Sequence, residues 1–536
     1  MTKNFNKMPY TAEYVKEKLT KELEATHVVR RGETSASFAY LMAAIGVLVR
    51  WAVALHSYSG QGQAPIYGDY EAQRHWQEIT LNLPASEWYR NSTRNDLNYW
   101  GLDYPPLTAY HSLALGYIAR QFNPEFVELG DSRGFESPEH KLFMRWSSLL
   151  ADVVVLLPAL VLSLREQRSS SLALACLYPG LILIDHGHFQ YNSVCLGLTL
   201  WAVLALRKRR VALAACLFSL ALNYKQIALY HALPFFCYLL GQCWRQPSWS
   251  GCARKLTVIA TSVILTFLVV WFPFLNSKDA MQVLHRVFPV ARGLYEDKVA
   301  SFWCAISPVF KPQNYLAQGP MAAICAAVTL LAALPSCLNL LRHPGQRRFE
   351  LCLLNTSLAF FLFSYHVHEK SILFAALPAL LLLPSHPLSA CTFLWISSFS
   401  LLQLACKDGL VLAWSALQLL FLGAARALVP VPRRTRLPLG LSMAGSGALA
   451  IAYALVSPPA RYPDLFPLLL AVFCCLHFFV FLAYFTREVV DLSDGCGAKF
   501  NVIVVSPKFA GKPLLQQQRC VSQYCDIIIQ TILIEC

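Results

Sequence analysis

The sequence predicts an all-α polytopic membrane protein with about fourteen transmembrane helices and a large loop, bearing amphipathic helices, after the first of them. Three observations lead there. Charged residues make up 14 % of the 536 and hydrophobic residues 56 %, against roughly 25 % charged in ordinary globular chains. Apolar runs recur from Phe38 to Phe485, many near the roughly 20 residues that cross a bilayer. The net charge of +14 is gathered mostly between those runs, at Arg207-Lys208-Arg209-Arg210, at Arg342 with Arg347-Arg348, and at Arg433-Arg434 with Arg436. Clusters of this kind encode orientation in a membrane. They form no continuous basic patch, which speaks against a nucleic-acid partner. One soluble core does not usually grow beyond about 250–300 residues, so the excess apolar sequence faces lipid.

Taken in order, a charged, helix-prone segment within 1–36 precedes the first run and reads as cytosolic. That run resembles an uncleaved signal anchor rather than a cleavable signal peptide. The spans are read at 37–56, 143–164, 170–184, 189–206, 211–223, 229–244, 256–274, 321–341, 350–365, 371–385, 388–404, 409–428, 437–457 and 463–486. Residues 107–121 are also apolar, but they hold His111 and Arg120 and follow Pro105-Pro106. They are read as lying in or near the interface.

With the N-terminus in the cytosol, alternation puts the basic clusters on the cytosolic side; counting 107–121 as a span would reverse them. The same alternation puts five polar clusters on the lumenal side: the loop 57–142, Asp185-His186-Gly187-His188, Asn223-Tyr224-Lys225-Gln226, the loop 275–320, and His366-Val367-His368-Glu369-Lys370. Five clusters on one face point to one site. Asn91-Ser92-Thr93 is a glycosylation acceptor pattern in the first of these loops. The eighteen cysteines are scattered and read as small hydrophobes.

Asp69, after the backbone-breaking Gly68, is either the N-cap of an amphipathic interfacial helix or a general base for a sugar hydroxyl. Glu71, two residues on, faces elsewhere and does not pair with it symmetrically. Tyr99 to Pro106 is aromatic, acidic and rigid, fit for a sugar surface or for an interfacial belt. His186 and His188 with Gln190 and Asn192 form a polar helix end; a metal pair there lacks a third ligand fixed by spacing, and no metal is expected. Lys225 runs against the orientation rule and either has a task or snorkels to water. Arg292 and Lys298 are suited to a phosphate or to pairing with Glu296 and Asp297. His366, His368, Glu369 and Lys370 lie near the bilayer, where ionisable groups are costly and mark function; the plain alternative is a solvated turn.

These strings resemble a known family. Gly68-Asp69-Tyr70-Glu71-Ala72-Gln73-Arg74-His75-Trp76, Trp100 to Tyr110, Gly187 to Ser193, Tyr230 to Phe236 and His368 to Leu373 are similar to the endoplasmic-reticulum glucosyltransferases that act on the lipid-linked oligosaccharide. The first string resembles the members that add the first glucose. The resemblance covers about 37–486 and implies the C-type glycosyltransferase (GT-C) membrane fold. It implies a dolichyl phosphate glucose donor and a Man9GlcNAc2 acceptor on dolichyl diphosphate, meeting among membrane lipids, with no cofactor. It implies an inverting α-1,3 transfer in the lumen with Asp69 as the carboxylate. His366, His368, Glu369, Lys370, Arg292, Lys225 and Gln190 are assigned to the donor phosphate and substrate. Glu71, Arg74, Trp76 and Asp103 are assigned to the acceptor. The alternatives are the relative adding the second glucose, or a transporter or scramblase, which usually shows repeats that are not seen here. The tail 487–536, read as cytosolic, has no family counterpart from about Asp491.

Overall fold

The computed structural model describes residues 34–288, 294 and 298–491. Among these residues every regular element is helical. A helix lies under each predicted apolar run. Ten have the length and apolarity to cross a membrane, from Ala36–Ala54 to Leu465–Val489. The helices under the other four runs do not qualify. Asn192–Arg207 and Val211–Tyr224 are apolar but short, Gln346–Phe363 carries Arg347, Arg348 and Glu350 in its first turns, and Leu373–Leu382 has 10 residues after a 3-10 turn.

Burial separates two kinds of apolar helix. The apolar window of Ser169–Phe189 is wholly buried, and Leu373–Leu382 is buried along its length. Trp249–Phe274 and Arg433–Leu455 bury only 6 % of their apolar windows. Apolar surface left uncovered on that scale belongs against lipid.

Arg50 interrupts the first span, yet it is fully buried. Its Nε lies 2.5 Å from Asp152, and it donates to the carbonyls of Gly46 and Cys176. Asp152 also meets His186 Nε2 at 2.9 Å. A charge inside a membrane bundle survives only when paired in this way.

The helix that begins at Asp69 is covered on all its faces, where an amphipathic interfacial helix would leave one open. Asp69–Asn82 is buried from Tyr70 through Thr80 and packs against the helix Pro106–Phe122 and the turn Pro124–Val127. Its polar residues find one another instead of water. Arg74 binds both oxygens of Glu71 at 2.7 Å, Glu78 at 2.6 Å and Ser132 Oγ at 2.5 Å. His75 reaches Glu78, and Tyr99 donates to Glu71. The spacing 71, 74 and 78 stacks opposite charges on one helical face, so the helix carries its own counterions inward. Gly68 permits the close approach that starts it: a Cβ there would lie 2.5 Å from the backbone of Ser59.

Candidate functional site

A cavity of about 1020 Å³ opens where the polar clusters converge. Its wall draws on the first loop, the 188–192 segment, the 225–230 turn, Arg286 to Phe288, the 364–371 segment and the 404–408 segment. Several of these segments join apolar helices, so their polar groups gather at helix ends, as at 188–192, 225–230 and 404–408.

Asp69 stands in this wall. Gly68 is the N-cap, with no side-chain cap bond, so Asp69 is the first helical residue and not the cap that its position suggests. Its side chain keeps part of its exposure where the residue lines the cavity. Its Oδ2 accepts from His188 Nε2 at 2.8 Å, from Gln190 Nε2 and from Lys370 Nζ. No hydrogen bond to Oδ1 is found among the described residues, and the side chain keeps 19 % of its exposure. Burial alone would raise the Asp69 pKa, but Lys370 and then His188 outweigh it and hold the group well below the ordinary aspartate value. Burial opposes the charge on Lys370, and Asp69 more than restores it.

Two of the three donors are themselves anchored. Gln190 Oε1 accepts from Lys225 Nζ at 2.8 Å, and Lys225 also donates to Asn192 Oδ1 at 2.7 Å. Lys225 lies 4.8 Å from the Tyr104 ring centre; burial and then Lys370 pull its pKa down to about 8. His188 Nδ1 meets Asp408 Oδ2 at 2.6 Å. His186 turns the other way, to Asp152, so the two histidines are not a joint ligand pair. His188 sits on a π-helical turn, Leu183–Phe189, and Phe189 beside it has φ +88°. Tyr67 and Trp100, also at the cavity, have φ +62° and +48°. Left-handed backbone at bulky residues stores strain, and it clusters at working sites.

Of the residues singled out in the sequence, Asp69, Gln190, Lys225, His366, His368, Glu369, Lys370, Trp76 and Asp103 all line the cavity. The rings of His366 and His368 stand edge to face, 5.0 Å apart. The helical turn here runs only from Glu369 to Ile372, so His366 and Lys370 do not share a helical face. Glu71 and Arg74 do not line the cavity. They are spent on the buried ion cluster of their own helix, which removes them from any acceptor surface. Asn91 lies exposed on the first loop, with Oδ1 accepting from Leu97 N. Lys298 pairs with Asp464 at 3.0 Å. Arg292 lies outside the described residues. Arg286, from the same segment, does line the cavity and donates to the carbonyls of Gly101 and Leu102.

Asp408, Lys407 and Gln73 belong to the wall and carried no site role in the sequence reading, while Tyr104 lines it from the aromatic stretch noted above. A signal for the first two was present. Lys407-Asp408 occupies the short gap between two apolar runs, on the side that alternation assigns to the other polar clusters.

Comparison with known proteins settles the lineage. Residues 46–485 match the ALG6, ALG8 glycosyltransferase family. The chain belongs to that family. The similarity also extends to whole relatives. A Gallus gallus protein named dolichyl pyrophosphate Man9GlcNAc2 alpha-1,3-glucosyltransferase is 46 % identical over 84 % of this chain and 96 % of its own length. A Drosophila melanogaster protein named as a probable enzyme of the same kind is 47 % identical over 82 % of this chain and 96 % of its own. An Arabidopsis thaliana relative with the same probable name is 41 % identical over 87 % of this chain and 92 % of its own. The all-helical, multi-pass architecture is thus that of a GT-C glycosyltransferase.

Proposed function

We propose that the chain moves the first glucose from dolichyl phosphate glucose to Man9GlcNAc2 on dolichyl diphosphate, forming an α-1,3 linkage. One observation carries the reading. Three nitrogen donors crowd Oδ2 of Asp69, no described residue hydrogen-bonds its Oδ1, and the residue lines a large cavity. The full-length similarity to relatives named for this acceptor supports the substrate.

The acceptor mannose hydroxyl attacks glucose C1 from the face opposite the phosphate. The C1–O bond to phosphate breaks, and the new bond to the mannose oxygen forms with inversion. Asp69 Oδ1 takes the hydroxyl proton. The leaving dolichyl phosphate is already an anion, so no second carboxyl need protonate it, unlike in glycoside hydrolysis. Lys370, His368 and His366 on the same wall supply positive charge and N–H groups to the developing phosphate. Lys370 is shared between the base and the phosphate, which couples donor binding to the basicity of Asp69. Trp76 and Asp103 are proposed to face the acceptor glycan. We further propose that residues 37–486 form the transferase in the endoplasmic reticulum membrane, with the cavity lumenal, Asn91 on the glycosylated side and the segments 1–36 and 487–536 cytosolic.

The deciding experiment gives purified, lipid-reconstituted protein dolichyl phosphate glucose with two acceptors, unglucosylated and monoglucosylated. One glucose is expected on the unglucosylated acceptor only. Preference for the monoglucosylated acceptor would make it the second-glucose enzyme.

A pH prediction follows from the charge balance. Asp69 works as the carboxylate, and its pKa is depressed, so loss of rate through its protonation should begin only below the ordinary carboxylate range. Lys370→Met removes its largest stabilising partner. The acid limb of kcat/KM should then move upward in pH. A limb that stays in place would detach Lys370 from the base.

A further inference from the structure

Asp408 lies outside every motif quoted above. It occupies the turn between the helices Leu402–Lys407 and Val411–Leu428. Its side chain is only 5 % exposed, and its backbone is held by Ser57 Oγ, which donates to Asp408 O at 2.5 Å. Its carboxylate reaches one group of the candidate site, His188 Nδ1, at 2.6 Å.

An imidazole between two carboxylates has few workable proton arrangements. Without a proton between them, two lone pairs would face each other at 2.6 Å, which a buried site does not tolerate, and of the two groups a carboxyl gives up its proton more readily than an imidazolium. Nδ1 therefore donates to Asp408. The ring plane is then set, and Nε2 is aimed at Asp69 Oδ2, 2.8 Å away. A carboxylate that holds a histidine by the far nitrogen fixes its tautomer and orientation and favours its charged form. His188 in turn keeps Oδ2 occupied and leaves Oδ1 as the basic edge.

We propose that Asp408 is a positioning residue for glucosyl transfer, acting through His188 to set the orientation and basicity of Asp69. The proposal rests on Asp69 being the base. The charged groups facing His188 are Asp69, Lys370 and Asp408 around its ring, with Arg145 donating to the neighbouring Gly187 carbonyl.

The test uses the full chain in lipid, with wild type and Asp69→Asn run alongside. Asp408→Asn keeps the size and removes the charge. It should lower kcat about 100-fold, leave the donor KM in place, and move the acid limb of the rate upward as Asp69 loses a cationic neighbour. Asp408→Glu should recover part of the rate. His188→Gln keeps an N–H aimed at Asp69 but has no Nδ1, so Asp408→Asn should cost nothing further in that background. Near-wild-type turnover of Asp408→Asn would overturn the proposal. So would losses that multiply in the double variant, since Asp408 would then act on the sugar independently. If Asp408→Asn yields no folded protein, Asp408→Ser, which also removes the charge, carries the test: an unchanged kcat and acid limb would overturn the proposal. An active Asp69→Asn control would instead remove the base assignment on which it rests.

Discussion

Asp69→Asn should abolish glucosyl transfer while leaving the protein folded and able to hold its donor. An asparagine can still offer its carbonyl oxygen to His188, Gln190 and Lys370, which now crowd Oδ2. Its NH₂ group then takes the Oδ1 edge. The acceptor hydroxyl would meet a donor where it needs a base, and the loss should be about 10²–10⁴-fold or more in kcat. Donor binding should be unchanged or tighter, because Lys370 loses the carboxylate that competes for it with the phosphate. Single-turnover transfer and donor binding, measured on the same preparation, separate the two effects. Transfer close to the wild-type rate would refute Asp69 as the base.

The second large effect is on stability and lies away from the cavity. Arg74→Met should be strongly destabilising, by about 3–5 kcal/mol, because it leaves Glu71 and Glu78 buried without their shared cation. His75 and Arg74 hold Glu78 down to about pKa 2 against an ordinary 4.5. The stabilisation from that ionised group is therefore complete above about pH 4.5 and fades as the pH falls toward 2. Removing Arg74 withdraws a main cause of the depression. Thermal unfolding in detergent at neutral pH reads the effect, and a variant as heat-resistant as wild type would show the cluster to be energetically idle. Because this helix begins at Asp69, such a variant should lose transfer by unfolding rather than by chemistry.

The apolar runs were legible because membrane helices must be long and apolar, and basic clusters mark their cytosolic ends. The convergence of the polar clusters was legible for the same reason, since alternation alone assigns them to one side. The roles of individual polar residues were less so. Glu71 and Arg74 sit in the same nine-residue string as Asp69, and nothing local distinguishes a residue facing a cavity from one facing a helix partner. Arg50 and Asp152 are lone charges in apolar runs, more than 100 residues apart, yet they form one buried pair. Asp408 and His188 are likewise far apart in the chain and directly bonded.

By itself, the sequence determined that this chain is a helical membrane protein, that its polar clusters belong together and which family it resembles. These follow from hydropathy, charge and long contiguous motifs, which are local properties. Only the tertiary structure decided what Asp69 touches: the three nitrogens on one of its oxygens come from segments more than 100 residues away, and the carboxylate behind His188 from a turn farther still. Hydrogen bonds act over about 3 Å in space, and sequence spacing does not report that distance once the chain has folded back on itself.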